Sequence, residues 1–262
     1  MEKKNILVIV LILVLLVGIC YTSYGIIKNN EPIQKPIATI EIRDYGIIKV
    51  ELDPTVAPET VANFIDLAND GFYDERTFYR TIPNFMIQAG DIGESDSAEV
   101  RYTIKGEFAA NMVKNNLKFK EGIIGMARVN YSDVYQFAPP ESYSYNSGSS
   151  QFFITAAESP HLDGYYTSFG RVIEGMDIVE KIANIEVITR EASAEGLDHP
   201  VDPPVIASIR VETFGITYGE PSRLAIFNYY DWFYKQYGID YNQLFGSSDY
   251  DFDWEVDGDG EE

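Results

Sequence analysis

The chain holds two histidines, His161 and His199, and one cysteine, Cys20. These are too few for an HExxH zinc site, a CxxC cluster or an internal disulfide. His161 and Asp163 stand two residues apart in a loop-like stretch, a spacing at which neither orients the other as a Ser-His-Asp triad requires. With no credible nucleophile–base pair, hydrolysis is disfavoured. The run Asp253-x-Glu255-x-Asp257-Gly258 opens like a calcium loop, but the sequence stops before the distal glutamate that such a loop needs. What remains are apolar, amide and cationic side chains in four separated segments. They are Phe78-Tyr79-Arg80-Thr81-Ile82-Pro83-Asn84-Phe85-Met86-Ile87-Gln88-Ala89-Gly90-Asp91, Gly122-Ile123-Ile124-Gly125-Met126-Ala127-Arg128, Ser150-Gln151-Phe152-Phe153-Ile154, and His161-Leu162-Asp163-Gly164-Tyr165-Tyr166 followed by Phe169-Gly170. On pattern alone Arg80 reads as a solvated or salt-bridged strand residue, and Phe85, Met86 and Phe153 as core.

In order and approximate spacing, the four segments resemble those of the cyclophilins, a family of peptidyl-prolyl cis-trans isomerases. The resemblance spans about residues 36–216, and the bacterial branch is the closer fit. It implies a mainly β fold, an eight-stranded antiparallel closed β-barrel capped by two α-helices, with a shallow substrate groove on its outer surface. It gives Arg80 the catalytic role and builds the proline-ring pocket from Phe85, Met86, Phe153 and Leu162. Gln88 and the main chain near Ala127 and Arg128 would hydrogen-bond the substrate backbone. Gln151, His161 and Tyr166 would line or rim the same groove. The implied partners are proline-containing polypeptides, and neither a metal nor a cofactor is required.

The chemistry suits such residues. Turning an X–Pro bond costs about 18–20 kcal/mol because amide resonance is lost, so uncatalysed exchange takes roughly tens to hundreds of seconds. No covalent bond is made or cut. In the twisted state the prolyl nitrogen recovers its lone pair, and a permanently charged arginine can donate a hydrogen bond to it. An apolar pocket holds the ring while the carbonyl side turns. A non-catalytic chaperone or scaffold using the same groove is the rival reading, against which the intact Arg80, Phe85, Gln88 and Phe153 count.

Three departures from the pattern stand out. His161 occupies a position where eukaryotic members commonly have Trp, which implies weak cyclosporin binding. Tyr166 stands where those members have His, and both changes occur in the bacterial branch. Arg128 replaces a common Asn at a position used mainly through its backbone. A longer departure, residues 129–150, separates two pocket segments that a short turn usually joins, and it carries Tyr131, Tyr135, Phe137, Tyr143 and Tyr145. A lid or selectivity loop and a flexible decoration are both open readings of it.

The elements that must position these residues are partly visible. Ala38, Ile40 and Ile42, then Ile48, Val50 and Leu52, alternate with polar residues around Asp44-Tyr45-Gly46, predicting an antiparallel hairpin with one buried face. Pro58 opens a helix that Gly71 stops, with Val61, Phe64, Ile65 and Ala68 as its buried stripe. Short strands are predicted near 77–81, 85–88, 123–127, 151–155, 169–173 and 205–213, and a second helix over 176–183. Ile226, Tyr230, Phe233 and Tyr237 share one helical face. After Ser247 the chain has eight acidic residues and no basic one, which reads as disordered.

At the N-terminus, Lys3 and Lys4 precede an uncharged stretch from Asn5 to Ile27, long enough to span a bilayer. A membrane anchor with the catalytic domain extracytoplasmic is expected from it, with a cleaved signal or lipidation at Cys20 as alternatives. The expected organisation is therefore an anchor or signal over 1–27, a linker over 28–36, and an isomerase domain over 37–216. An aromatic extension over 217–246, expected to be helical, and an acidic tail over 247–262 complete it. The net charge of −21 argues against a nucleic-acid partner, which needs clustered cations. The functional expectation is a foldase for exported or membrane-proximal proteins.

Overall fold

The protein is described from a computed structural model that covers residues 34–90, 100–193 and 198–240. Strands β1 (Ile37–Ile42) and β2 (Gly46–Leu52) form the hairpin that the alternation predicts, with Ile40 opposite Ile48 and Ala38 opposite Val50. All six apolar residues of that face are 0–2% exposed. Helix α1 (Pro58–Asn69) follows and buries Val61, Phe64, Ile65 and Ala68. Its N-terminus is capped from a distance: the buried Glu107 carboxylate accepts from the backbone N–H groups of Glu59 and Thr60 and from the Thr60 hydroxyl. Phe64 then sets the centre of the core, its ring 5.3–5.4 Å from those of Tyr73, Phe152 and Phe169.

Strands β3 (Phe78–Ile82) and β4 (Met86–Ala89) make a second hairpin, and the short β5 (Thr103–Ile104) lies apart from it. After β6 (Ile123–Met126) the 129–150 insertion folds into two short helices, α2 (Tyr131–Val134) and α3 (Glu141–Tyr145). Strands β7 (Phe152–Thr155) and β8 (Ser168–Glu174) and helix α4 (Met176–Ala183) come next. The pair β9 (Val187–Ile188) and β10 (His199–Pro200) precedes β11 (Ile206–Glu212). The chain then adds β12 (Arg223–Leu224) and α5 (Tyr229–Lys235).

Eight strands form one sheet in the order β11-β1-β2-β8-β6-β7-β4-β3, which is curled but open. The expected closed barrel is thus corrected. Its two edges meet only through the single bridge Thr77–Val205 and flanking bonds such as Phe78 N–H to the Pro204 carbonyl. Pro203 and Pro204 lead into β11 and carry no N–H to extend that bridge into a ladder.

The anchor over 1–27, the acidic tail and its calcium-like run lie outside the described residues. So do most of the linker and Asp91. Among the described residues no helix is long and apolar enough to cross a membrane. The longest, α1, has 12 residues, about 18 Å against a hydrocarbon core of roughly 30 Å. The expected transmembrane helix therefore has no counterpart among the described residues. Nothing in the described fold supports membrane partnering, or the extracytoplasmic placement that depended on it.

The C-terminal extension packs on the insertion and beside β5. Arg223 and Leu224 of β12 pair with Ile104 and Thr103, and the Ser222 N–H donates to Glu59. Tyr135 stacks on Tyr229 at 3.6 Å and 6°, and Phe227 packs 4.8 Å from Tyr131 and 4.3 Å from Tyr143. The regular helix here covers only Tyr229–Lys235, with Asn228 capping it through the Asp231 N–H. Ring pairs of this kind contribute about 0.5–1.5 kcal/mol each beyond area burial. Truncation after Thr217 is therefore expected to lower the melting temperature by roughly 5–10 °C, on a scale of ~2–4 °C per kcal/mol. Thermal unfolding followed by circular dichroism checks this, and an unchanged midpoint would contradict the packing role.

Candidate active site

The groove is organised by strand register. Arg80 pairs with Gln88 across β3–β4, Gln88 with Phe153 across β4–β7, and Phe153 with Gly125 across β7–β6. Directly opposed residues share a face of a sheet, so these four stand side by side on the outer face. Their neighbours Ile87, Phe152 and Ile154 point into the core, each 0% exposed. A register shift between Phe78 and Arg80 makes this possible. Two residues apart, both would otherwise face the same way, yet Phe78 is fully buried inside while Arg80 stands at the groove.

The β3–β4 turn places the rim. Pro83 and Asn84 occupy its two central positions, Asn84 takes a left-handed conformation (φ 57°), and the Phe85 N–H closes back on the Ile82 carbonyl at 3.1 Å. Phe85 is thereby set 5.3 Å from the His161 ring. Beneath the rim Met86, Phe153 and Leu162 are buried together with Phe119 and Ile123 in a small cluster separate from the main core. The Phe153 ring stacks on Phe119 at 5.6 Å and meets Tyr166 edge-on at 6.0 Å.

A concavity of about 150 Å³ results, lined by Arg80, Gln88 and Arg128 on its polar side and by Phe85, Met86, Phe153 and Leu162 on its apolar side. Ala127 and Tyr166 complete it. Gln151 and His161 stand behind this lining, Gln151 bonded to Gln88 and His161 against Phe85. A larger cavity of about 610 Å³ lies between the insertion and the C-terminal extension and shares none of these residues. The smaller concavity combines a cation, an amide and an apolar wall.

The polar side is a connected network. Arg80 Nη1 donates to Gln88 Oε1 at 3.0 Å. The Gln88 amide nitrogen donates in turn to the Tyr79 hydroxyl oxygen and to Gln151 Oε1, and the Tyr79 hydroxyl donates to Gln151 at 2.7 Å. Burial, with the neighbouring Arg190 charge, holds the Arg80 guanidinium below the usual arginine range, against the opposing pull of Tyr79, Asp198 and Tyr166. An arginine so shifted stays protonated at neutral pH. Its buried Nε has no hydrogen-bond partner among the described residues. Tyr79 and Phe119 are the two participants that sequence reasoning gives no role. Tyr79 is quoted within the first segment, but the register shift beside it is invisible in a string, and Phe119 sits in a stretch with no motif.

Gly125 is required by close approach. A Cβ there would lie 2.5 Å from the Phe153 ring and 2.7 Å from that of Phe119. Gly125→Ala is expected to displace both rings, costing about 1–3 kcal/mol of stability as overpacking does. A fall of roughly tenfold in kcat/KM on a short X–Pro peptide should accompany it. Melting and steady-state assays on the same preparation measure both, and an unaltered kcat/KM would show that ring position is not critical.

Comparison with known proteins matches this geometry to a family. The family described as cyclophilin type peptidyl-prolyl cis-trans isomerase/CLD matches residues 37–211. Peptidyl-prolyl cis-trans isomerase B of Bacillus subtilis is 36% identical over 155 residues, 59% of this chain and 95% of that protein. Peptidyl-prolyl cis-trans isomerase-like 2 of Rhizopus delemar is 37% identical over 148 residues, 56% of this chain but only a quarter of that longer protein. A cyclophilin type isomerase of Cryptosporidium parvum, crystallised in the presence of the dipeptide Ala-Pro, superposes with a TM-score of 0.53 at 28% identity. It covers 67% of this chain and 98% of its own. The chain belongs to the cyclophilin-type peptidyl-prolyl cis-trans isomerases and is an enzyme that interconverts the isomers of X–Pro bonds.

Proposed function

We propose that the outer-face concavity is where the X–Pro bond turns, and that the protein acts as a foldase on proline-limited polypeptide clients. The observation that carries this reading is the register that sets Arg80, Gln88 and Phe153 in one row on three adjacent strands. In this reading the proline ring enters the apolar side, against Phe153, Met86, Leu162 and Phe85. Arg80 donates to the prolyl nitrogen as it pyramidalises. Gln88, itself bonded to Tyr79 and Gln151, holds the guanidinium so that the donor is in place before the bond twists, which lowers reorganisation at the transition state. The Gln88 side-chain oxygen, which can accept a second bond, and the main chain at Ala127 and Arg128 meet the substrate backbone in this reading. Carbonyl-side rotation then occurs at the open mouth of the groove, without covalent intermediate or metal.

The test is acceleration by the full chain of two processes: cis-to-trans exchange in a short Ala-Pro-containing peptide, and refolding of a protein with a proline-limited slow phase. Both should quicken, and both should respond to Arg80 substitution. Binding of the peptide with no acceleration of either process would instead favour a non-catalytic scaffold.

A further inference from the structure

Arg128 differs from three other arginines of this acidic chain. Arg43, Arg171 and Arg210 are each matched to a carboxylate, Glu75, Glu51 and Asp74 respectively. Arg128 lines the catalytic concavity and forms no ion pair among the described residues. Its Nε donates to the Tyr165 carbonyl at 3.0 Å. Its guanidinium carbon lies 4.6 Å from the Tyr166 ring centre, 5.4 Å from that of Tyr145 and 5.9 Å from that of Phe108. Three rings and one carbonyl therefore fix the plane of the guanidinium, while both terminal nitrogens have no hydrogen-bond partner among the described residues. A planar fork held in this way, with its two outer donors free, is matched to a carboxylate, which it can grip bidentately.

The clamp is built from the chain's distinctive parts. Tyr145 belongs to α3 of the insertion, and the adjoining Tyr143 is packed by Phe227 of the C-terminal extension. We infer that Arg128 is a specificity-determining residue that selects substrates carrying an aspartate or glutamate close to the proline. The inference rests on the assignment of the concavity as the isomerisation site. Arg80 acts on the prolyl nitrogen in every substrate, whereas Arg128 at the rim by Tyr166 reads a side chain that only some substrates have. The surrounding charge of −21 repels acidic peptides in general. The local preference is therefore read as a difference between the parent and an Arg128 variant.

The experiment measures kcat/KM of the full chain on an all-alanine X–Pro peptide. The same is done for peptides with Glu or Lys placed singly at the two positions before and the two after the proline. At one position the Glu peptide should exceed its Lys counterpart by about tenfold at low ionic strength, as a charge-assisted pair at a partly desolvated site permits. That ratio should fall toward unity in Arg128→Gln, be kept in part by Arg128→Lys, and shrink as salt is added. A parent enzyme showing no Glu-over-Lys preference at any position overturns the inference. A preference that survives in folded Arg128→Gln overturns it equally. Failure of the groove assignment itself looks different, because the all-alanine peptide would then be insensitive to Arg80→Ala.

Discussion

Arg80→Ala is expected to lower kcat/KM on a short X–Pro peptide by roughly a hundred- to a thousandfold. This corresponds to about 3–4 kcal/mol of transition-state stabilisation, the range found for removing one preorganised donor. The loss should fall on kcat far more than on peptide affinity, because the prolyl nitrogen is a good acceptor only while the amide is twisted. The fold should tolerate the change, since Arg80 is only half-buried and, among the described residues, its side chain bonds Gln88. Arg80→Lys should recover part of the rate at best. An ammonium keeps the charge but has no planar fork for Gln88 to hold. A peptide assay with proteins verified as folded checks the expected order of rates: parent, lysine variant, alanine variant.

Phe153→Ala should behave differently. Phe153 is 5% exposed and packs between Phe119, stacked at 5.6 Å, and the edge of Tyr166. Truncating a buried phenylalanine costs about 3–5 kcal/mol, and here the loss is shared between folding and ligand binding. Both KM and kcat should deteriorate, with kcat/KM falling by about two orders of magnitude, and the melting temperature should drop as well. Steady-state kinetics and thermal unfolding on one preparation separate the two contributions. A normal KM beside a lowered melting temperature would mean that the ring supports the fold without touching substrate.

The hairpin β1–β2 and the stripe of α1 are legible because each repeats a simple period over enough residues, with Ile40 facing Ile48 and Phe64 placed between Val61 and Ala68. The groove is not legible by the same rules. Periodicity assigns Met86 and Phe153 to a core, and they are indeed buried, but in a small separate cluster whose outer surface forms the concavity. Only the four-segment resemblance brings Arg80, Gln88 and Phe153 together from the sequence alone.

Long-range features leave no local trace. Glu107 caps a helix nearly fifty residues upstream, and the register shift after Phe78 turns Arg80 to the outer face. The aromatic residues of 129–150 look like an isolated loop until Phe227 and Tyr229 are placed against them. The closed barrel fails as an expectation beside Pro204, whose carbonyl accepts from the Phe78 N–H but which has no N–H to return, so the sheet edges are bridged rather than laddered.

Exchange-sensitive NMR on a single X–Pro peptide, at saturating enzyme, measures the cis–trans interconversion rate of the bound peptide apart from its affinity. If Arg80 stabilises the twisted amide, the on-enzyme rate should fall at least a hundredfold in Arg80→Ala while the dissociation constant changes by no more than a few-fold. An Arg80→Ala protein that binds the peptide and interconverts it as fast as the parent would contradict the assignment of Arg80 as the catalytic donor.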